Sequence, residues 1–399
     1  MAGSPNRLPP QQRAYPVIRT NSNVSDIVII GAGVIGCSIA FHLARLGCWD
    51  IVVLEKDDIG SGSTGKCAGG IRQQFSTEAN IRLSMESVRF FEHFEEETGY
   101  PADFRQYGYL MLATTEEEVE AFKKNVALQK GLGINVSLLT RQEVRELVPS
   151  LNTDDVLAAS YCPSDGYADP HSVVQGFARA AREMGVKFRR ETEVTAIERK
   201  GRVWQVRTSQ GNFHCSILII AAGAYSGLVG KMLGLDIPLH PHRRHLFITS
   251  PCDEIPKNSP LVVEFRTGFW FRREGRCLIF GMRNPDEPEG FDTTVDWGFL
   301  PAIGVVAHNR LPLLNELSIT SAQAGLHDDT PDSNAIIGAV PGLENLYLAC
   351  GFSGHGFMHS PAVGRVVADI IAGKNAPDIA CFALERFKTG TGKGEACFI

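Results

Sequence analysis

Four apolar residues in a row, Ile27-Val28-Ile29-Ile30, are followed by glycines, by a segment of helical spacing through Leu46, and by Ile51-Val52-Val53-Leu54-Glu55. Short, wholly apolar runs bounded by turn residues read as strands buried on both faces, so this stretch predicts a βαβ unit. Further on, residues 77–98 set Leu83, Val88, Phe90, Phe91 and Phe94 on one side at helical spacing and predict a helix. Residues 105–160 alternate short strands with a charged helix. Asp169 as N-cap and Pro170 in the first turn open another, with Val173, Val174, Phe177 and Ala181 along its apolar face. The run Ile217-Leu218-Ile219-Ile220-Ala221-Ala222-Gly223 predicts a second fully buried strand. From His240 to about Ile319 strand-like runs dominate, Val262–Phe271 and Cys277–Gly281 among them. Residues 346–371 again pair an apolar strand with a helix.

Strand-to-helix units at both ends with a β-rich insert between them predict an α/β protein. Its Rossmann-like nucleotide-binding domain is assembled from residues 24–105, 160–236 and 322–390. A β-rich α+β substrate-binding domain is interleaved as 106–159 and 237–321. Residues 1–23 hold Arg7, Arg13, Arg19, four prolines and no acid, and read as a disordered arm, with an organelle transit peptide left open.

Charge removes one class of partner: 39 basic against 45 acidic residues give a net charge of −6, without the basic excess that nucleic acid demands. The longest apolar stretch, 27–41, contains three glycines and a serine and falls short of the ~20 residues of a membrane helix. Ten cysteines without a Cys-x-x-Cys pair read as reduced thiols, which suits a cytoplasmic location, or an organelle matrix if the arm is a transit peptide.

Chemistry enters at Gly31-x-Gly33-x-x-Gly36, placed between a predicted strand and helix, with Val34 and Ile35 in the first helical turn. Such glycines permit the turn, the approach of backbone to a pyrophosphate, and close helix packing. Glu55 lies nineteen positions after Gly36, next to Lys56, where a carboxylate accepts hydrogen bonds from a ribose and repels a 2′-phosphate. This spacing leaves FAD and NAD open. The segment Ser63-Thr64-Gly65-Lys66-Cys67-Ala68-Gly69-Gly70 offers backbone N–H groups without bulk. Gly351-Phe352-Ser353-Gly354-His355-Gly356-Phe357-Met358 opens the last long helix, whose positive end favours negative charge on whatever the loop touches. His240-x-His242-x-x-His245 has neither carboxylate nor thiolate nearby, so no metal site is expected. Glu116–Glu118 with Lys123 and Lys124 reads as a solvated helix face.

Taken in order, the N-terminal fingerprint with Glu55, the Gly-Ser-Thr segment, Ala221 to Ser226, Thr330-Pro331-Asp332 and Gly351 to Phe357 resemble the D-amino-acid oxidase superfamily over about residues 25–385. Within it the chain is most similar to the glycine and sarcosine oxidase branch, and to the beta subunits of heteromeric sarcosine oxidases and dye-linked proline dehydrogenases. The resemblance implies a glutathione-reductase-type FAD-binding fold, with Val194, Ala222, Gly223, Gly325, Asp332 and the loop Gly351 to Met358 beside the cofactor. It also implies that Arg72, in Gly70-Ile71-Arg72-Gln73-Gln74-Phe75, holds a substrate carboxylate, a task that suits a guanidinium fork. His355 is expected beside the flavin ring as a catalytic residue.

Departures from the family pattern refine the expectation. The position of a covalent cysteine holds Gly325, and the position of a covalent histidine holds Lys66 or Cys67, so FAD is expected to bind noncovalently. The family's second carboxylate ligand, a lysine, is replaced by Met358, and Cys277–Gly281 lacks the family's oxygen-activating lysine. A second flavin, FMN, held at a subunit interface is left open, since Pro170 with His171 adjacent occupies the position of its covalent histidine. The resemblance therefore implies hydride removal from the C–N bond of a small, N-substituted amino acid such as sarcosine or proline, by a dehydrogenase more than an oxidase. Electrons would pass to a partner subunit or another acceptor. A 2-hydroxy-acid dehydrogenase and a non-catalytic flavin-binding assembly subunit stay open as alternatives.

Overall fold

A computed structural model describes residues 23–47, 49–374, 379–390 and 394–397. The expected arm lies outside the described residues but for Asn23. Among the described residues the strands form two eight-stranded sheets and a two-stranded ribbon.

Strand β1 (Val24–Ile30) is central to the first sheet, parallel to β2 (Ile51–Leu54) on one side and to Gly211–Ile220 on the other. The sheet continues through Leu346–Cys350 to the antiparallel edge strand Ile336–Ala339, and at the far edge through Lys187–Arg189. Helix α1 (Val34–Arg45) and the last long helix, Gly356–Ile371, cover one face. Their crossing is close: a Cβ on Gly364 would lie 2.2 Å from Ser38 Oγ, and Ser38 Oγ donates to the Ser360 carbonyl at 2.7 Å. Both sheet faces are dry, with Ile27, Ile29 and Ile219 in one core and Val28, Leu218 and Ile220 in the other. That is why β1 and Gly211–Ile220 lose the alternation of a half-exposed strand.

The second sheet runs in the order Ile319–Asp329, His240–Thr249, Cys277–Gly281, Phe269–Glu274, Leu261–Glu264, Tyr109–Ala113, Ala158–Cys162, Ser137–Leu139. The segment boundaries at 160 and 322 thus fall inside two of its strands. Two local expectations change. The run Val262–Phe271 is two antiparallel strands turning at Arg266–Gly268, with Gly268 at φ 69°. The helix over 77–98 is broken at His93, which leaves helical geometry at φ −116°, into α2 (Glu78–Glu92) and a five-residue helix, Phe94–Thr98, with Phe91 and Phe94 both in the core. Asp169 caps the helix Pro170–Glu183 through the Ser172 amide at 2.9 Å, as its sequence requires. Among the described residues no helix is long and apolar enough to cross a membrane.

Candidate functional site

At the carboxyl end of β1, Gly31 adopts φ 104°, and a Cβ there would sit 2.4 Å from the Ala221 carbonyl of the neighbouring strand. Only glycine fits. A Cβ on Gly36 would meet the Gly31 carbonyl at 2.0 Å, so this glycine seats α1 against the turn. Gly33 is the N-cap of α1 and has no side-chain cap, which leaves the helix's first N–H groups facing outward. Among them, the Val34 amide donates to Thr64 Oγ1 at 3.1 Å. Glu55, at the end of β2, accepts from the Ala32 amide at 2.8 Å and from the Asp57 amide at 3.0 Å.

These groups line one side of a cleft of about 430 Å³. Of the predicted residues, Gly31, Gly33, Val34, Ile35, Glu55, Lys56, Ser63, Thr64, Lys66, Cys67, Val194, Ala222, Gly223, Gly325, Phe352, Gly354, Gly356 and Phe357 reach it. Sequence separation up to 326 residues is thus folded into one elongated groove between the two sheets. An extended dinucleotide fits this cradle. It meets an uncapped helix N-terminus at α1, a carboxylate at Glu55, a glycine opposite Lys66 at Gly325, and a second uncapped helix N-terminus after His355.

The remaining predicted residues stand behind the lining. Gly36 acts through packing. Gly69, at φ 70°, turns under the Ala168 carbonyl, while Gly70 pairs with Tyr167 in the ribbon. Ala68 offers its carbonyl to Arg272 Nε at 2.7 Å. Asp332 is tied to Arg386 at 2.7 and 2.9 Å and clamps the loop. Gly351 donates its amide to Asp328 at 2.7 Å, and Ser353 Oγ accepts from the Thr330 amide at 3.1 Å. Met358 packs in the core.

Arg72 and His355 also lie off the cleft wall, one layer deeper, and touch each other. Arg72 is 1% exposed, with Nη2 3.2 Å from His355 Nε2, Nη1 on the Gln74 carbonyl and the guanidinium 4.1 Å from the Phe75 ring centre. Among the described residues no carboxylate forms an ion pair with it. His355 is flanked by the cleft-lining Gly354 and Gly356, so the pair sits directly behind the groove's inner end. Burial, then the Arg72 charge, drive the His355 pKa well below the ordinary histidine value. The ring is neutral, so Nε2 accepts from Arg72 and Nδ1 carries the proton.

Several residues that pattern reading missed complete the site. Asp165 is wholly buried and accepts from the Gln73 amide at 3.0 Å, Gln73 Nε2 at 3.0 Å and Gln74 Nε2 at 3.2 Å, fixing the loop that carries Arg72. Burial raises its pKa to about 6. His327, Asp328 and Arg244 line the cleft from the second sheet, and Arg244 binds Asp329 at 3.2 Å. Arg244 and Lys66 bring cations to the cleft, while Cys277–Gly281 supplies none. The signal for His327 was its nearness to Gly325, since Gly325–Asp328 line the cleft without a break. For Asp165 there was none. The three spaced histidines diverge, with His240 on Glu289, His242 on Asp329, and His245 accepting from the Asp296 amide.

Comparison with known proteins agrees with this geometry. Residues 26–370 match the model of a family described as FAD dependent oxidoreductase. Mitochondrial dimethylglycine dehydrogenase of Rattus norvegicus is 32% identical over 87% of this chain, and the match spans 43% of that protein. The chain thus spans less than half the length of that relative. FAD-dependent oxidoreductase domain-containing protein 1 of Bos taurus is 32% identical over 94% of this chain and 87% of its own length. The crystal structure of L-proline dehydrogenase from P. horikoshii superposes with a TM-score of 0.87 at 36% identity, covering 93% of this chain and all of that one. Glycine oxidase from Geobacillus kaustophilus gives a TM-score of 0.83 at 26% identity, covering 92% of this chain and 99% of that one.

Proposed function

The chain belongs to the FAD-dependent oxidoreductase family, and from that premise we propose that it oxidises the C–N bond of a small secondary or N-substituted amino acid. Sarcosine and proline are the reference substrates, and the product is the corresponding imine. FAD, bound noncovalently along the cleft, would supply the hydride acceptor. Gly31, Gly33 and the α1 N-terminus would hold its pyrophosphate, and Glu55 its adenosine ribose.

One observation carries the substrate assignment: Arg72 is a fully desolvated cation without an ion-pair partner among the described residues, set immediately behind the loop that closes the cleft. A buried charge left without a counter-ion is costly, and a substrate carboxylate would offset that cost. His355, neutral and accepting from Nη2, fixes the guanidinium without adding a competing charge. Held by its carboxylate, an amino acid needs only orientation of its α-hydrogen, because hydride leaves a neutral amine without a strong base. The low exposure of the pair keeps water away from the reacting bond.

Dehydrogenase chemistry is supported by the names of the rat and P. horikoshii relatives, and the electrons would pass to a partner subunit or a second flavin. A reducing setting, cytoplasm or organelle matrix, fits the nine cysteines among the described residues that form no disulfide. Turnover with an artificial electron-accepting dye tests the reading. Sarcosine or proline should reduce the dye and yield an imine that hydrolyses to a carbonyl compound. Turnover of 2-hydroxy acids with no response to amines would overturn the substrate class.

A further inference from the structure

The carboxylate site as described is already filled by the chain itself. Residues Gly394–Cys397 cross over the start of α2, and the Cys397 carbonyl accepts a hydrogen bond from Arg72 Nη2, the same nitrogen that faces His355. Cys397 is 3% exposed and closes over the guanidinium.

One side chain makes most of the bonds that hold this segment down, and Asn125 Nδ2 adds a contact to Cys397 Sγ at 3.1 Å. Glu395, also 3% exposed, accepts from the Ser76 amide at 2.8 Å, the Thr77 amide at 3.2 Å, Thr77 Oγ1 at 2.9 Å and Asn80 Nδ2 at 3.0 Å, and from Ser76 Oγ. Thr77 is the N-cap of α2 but makes no side-chain cap, so the Glu395 carboxylate does that work from a distant part of the chain. The backbone adds the Glu395 amide on the Asp332 carbonyl at 2.9 Å and the Ala396 amide on Ser76 Oγ at 2.9 Å. The Cys397 amide folds back onto Glu395 Oε1 at 2.9 Å. A cavity of about 270 Å³ is lined by Ser76, Thr77 and Asn334, the first two of which bind Glu395.

We propose that Glu395 is a positioning residue that latches Gly394–Cys397 as a strap over Arg72, and that a substrate carboxylate binds by displacing the Cys397 carbonyl. A charged carboxylate makes a stronger hydrogen bond to a buried guanidinium than a neutral carbonyl does, so the exchange favours substrate. Closure in its absence keeps the cation from facing water or binding stray anions. The strap therefore sets affinity: binding is weakened by the fraction of time it is shut. This inference rests on Arg72 as the carboxylate anchor.

The test uses the holoenzyme with acetate as a carboxylate that cannot be oxidised. Alkylation of Cys397 by iodoacetamide is followed by peptide mass spectrometry, and acetate affinity by perturbation of the flavin spectrum. Burial pushes the Cys397 thiol up to about 12, so a closed strap reacts slowly. Acetate should speed Cys397 alkylation. Glu395→Ala should speed it without acetate and tighten acetate binding about tenfold, as for a competent state populated roughly one part in ten. Glu395→Gln, which keeps the side-chain volume, should fall between. Acetate that binds through Arg72 yet leaves Cys397 alkylation unchanged overturns the strap, as does weaker acetate binding in Glu395→Ala. Acetate binding undiminished by Arg72→Ala overturns the anchor reading and this inference with it, a result visible in the Arg72 variant alone.

Discussion

Arg72 is held by the carbonyls of Gln74 and Cys397, the neutral ring of His355 and the aromatic face of Phe75. None carries negative charge, which leaves the electrostatic demand of the guanidinium for a ligand. Replacing Arg72 by Ala should weaken binding of the amino acid by ~2–5 kcal/mol, measured as the dissociation constant in an anaerobic titration. Asp165 supports the same group at one remove. Its two oxygens accept from the Gln73 and Gln74 N–H groups and from the Cys162 thiol, so protonation replaces an acceptor by a donor that these groups match poorly. With its pKa raised to about 6, the ionised form that holds the loop is lost as pH falls through that value. The KM for the amino acid should therefore rise below pH 6, and Asp165→Asn should show a raised KM without that acid limb. Arg72 was legible because it sits in a short local motif. Asp165 and Glu395 were not, because a single acid in a turn or near the chain end has no periodicity and finds its partners 91 and 319 residues away.

Among elements, the crossing of α1 with Gly356–Ile371 sets how the two uncapped helix ends are presented to the cleft. Gly364 allows that approach, since a Cβ would also lie 2.8 Å from the Ser38 backbone carbon, which cannot swing aside. Gly364→Ala should cost about 1–3 kcal/mol by overpacking, read from urea unfolding, and should loosen FAD binding in the same preparation. The strands β1, β2 and Gly211–Ile220 were legible because burial on both faces writes itself as unbroken apolar runs. The break at His93 and the turn at Gly268 were not. Apolar side chains close in on either side of Glu92-His93 and of Arg266-Thr267-Gly268, so the flanking pattern runs on while the direction of the backbone changes.

For the whole molecule, the two sheets exchange strands more finely than composition along the chain reveals. Ala158–Cys162 and Ile319–Asp329 pair with the second sheet while the residues beside them serve the cleft, because strand pairing joins segments with no sequence signature of their partner. Cleft residues predicted from motifs mostly line it, and from the second sheet Gly325 was among them, whereas Arg244 and His327 came from strand pairing alone. A global consequence follows from the buried histidines. His42 and His359 are each lowered to about 3 by burial, and His355 is lowered well below its ordinary value. Each stays neutral when folded but takes a proton when unfolded below about pH 6.5, so each stabilises the fold above that pH and loses its contribution as pH falls. Asp165 and Asp328, both raised to about 6, act in the opposite sense between about pH 4 and 6. At about 1.4 kcal/mol per unit and group, three histidines outweigh two acids, and the urea midpoint should fall from pH 6.5 to 5. A flat or rising midpoint would show that these rings are not held neutral.

Anaerobic addition of sarcosine and of proline to the yellow holoprotein, followed at the flavin's visible absorption band, tests the central claim most directly. The band should bleach with at least one of the two in the native protein, and far higher concentrations should be needed after Arg72→Ala. A band that no amino acid bleaches, while a 2-hydroxy acid does, would contradict the account.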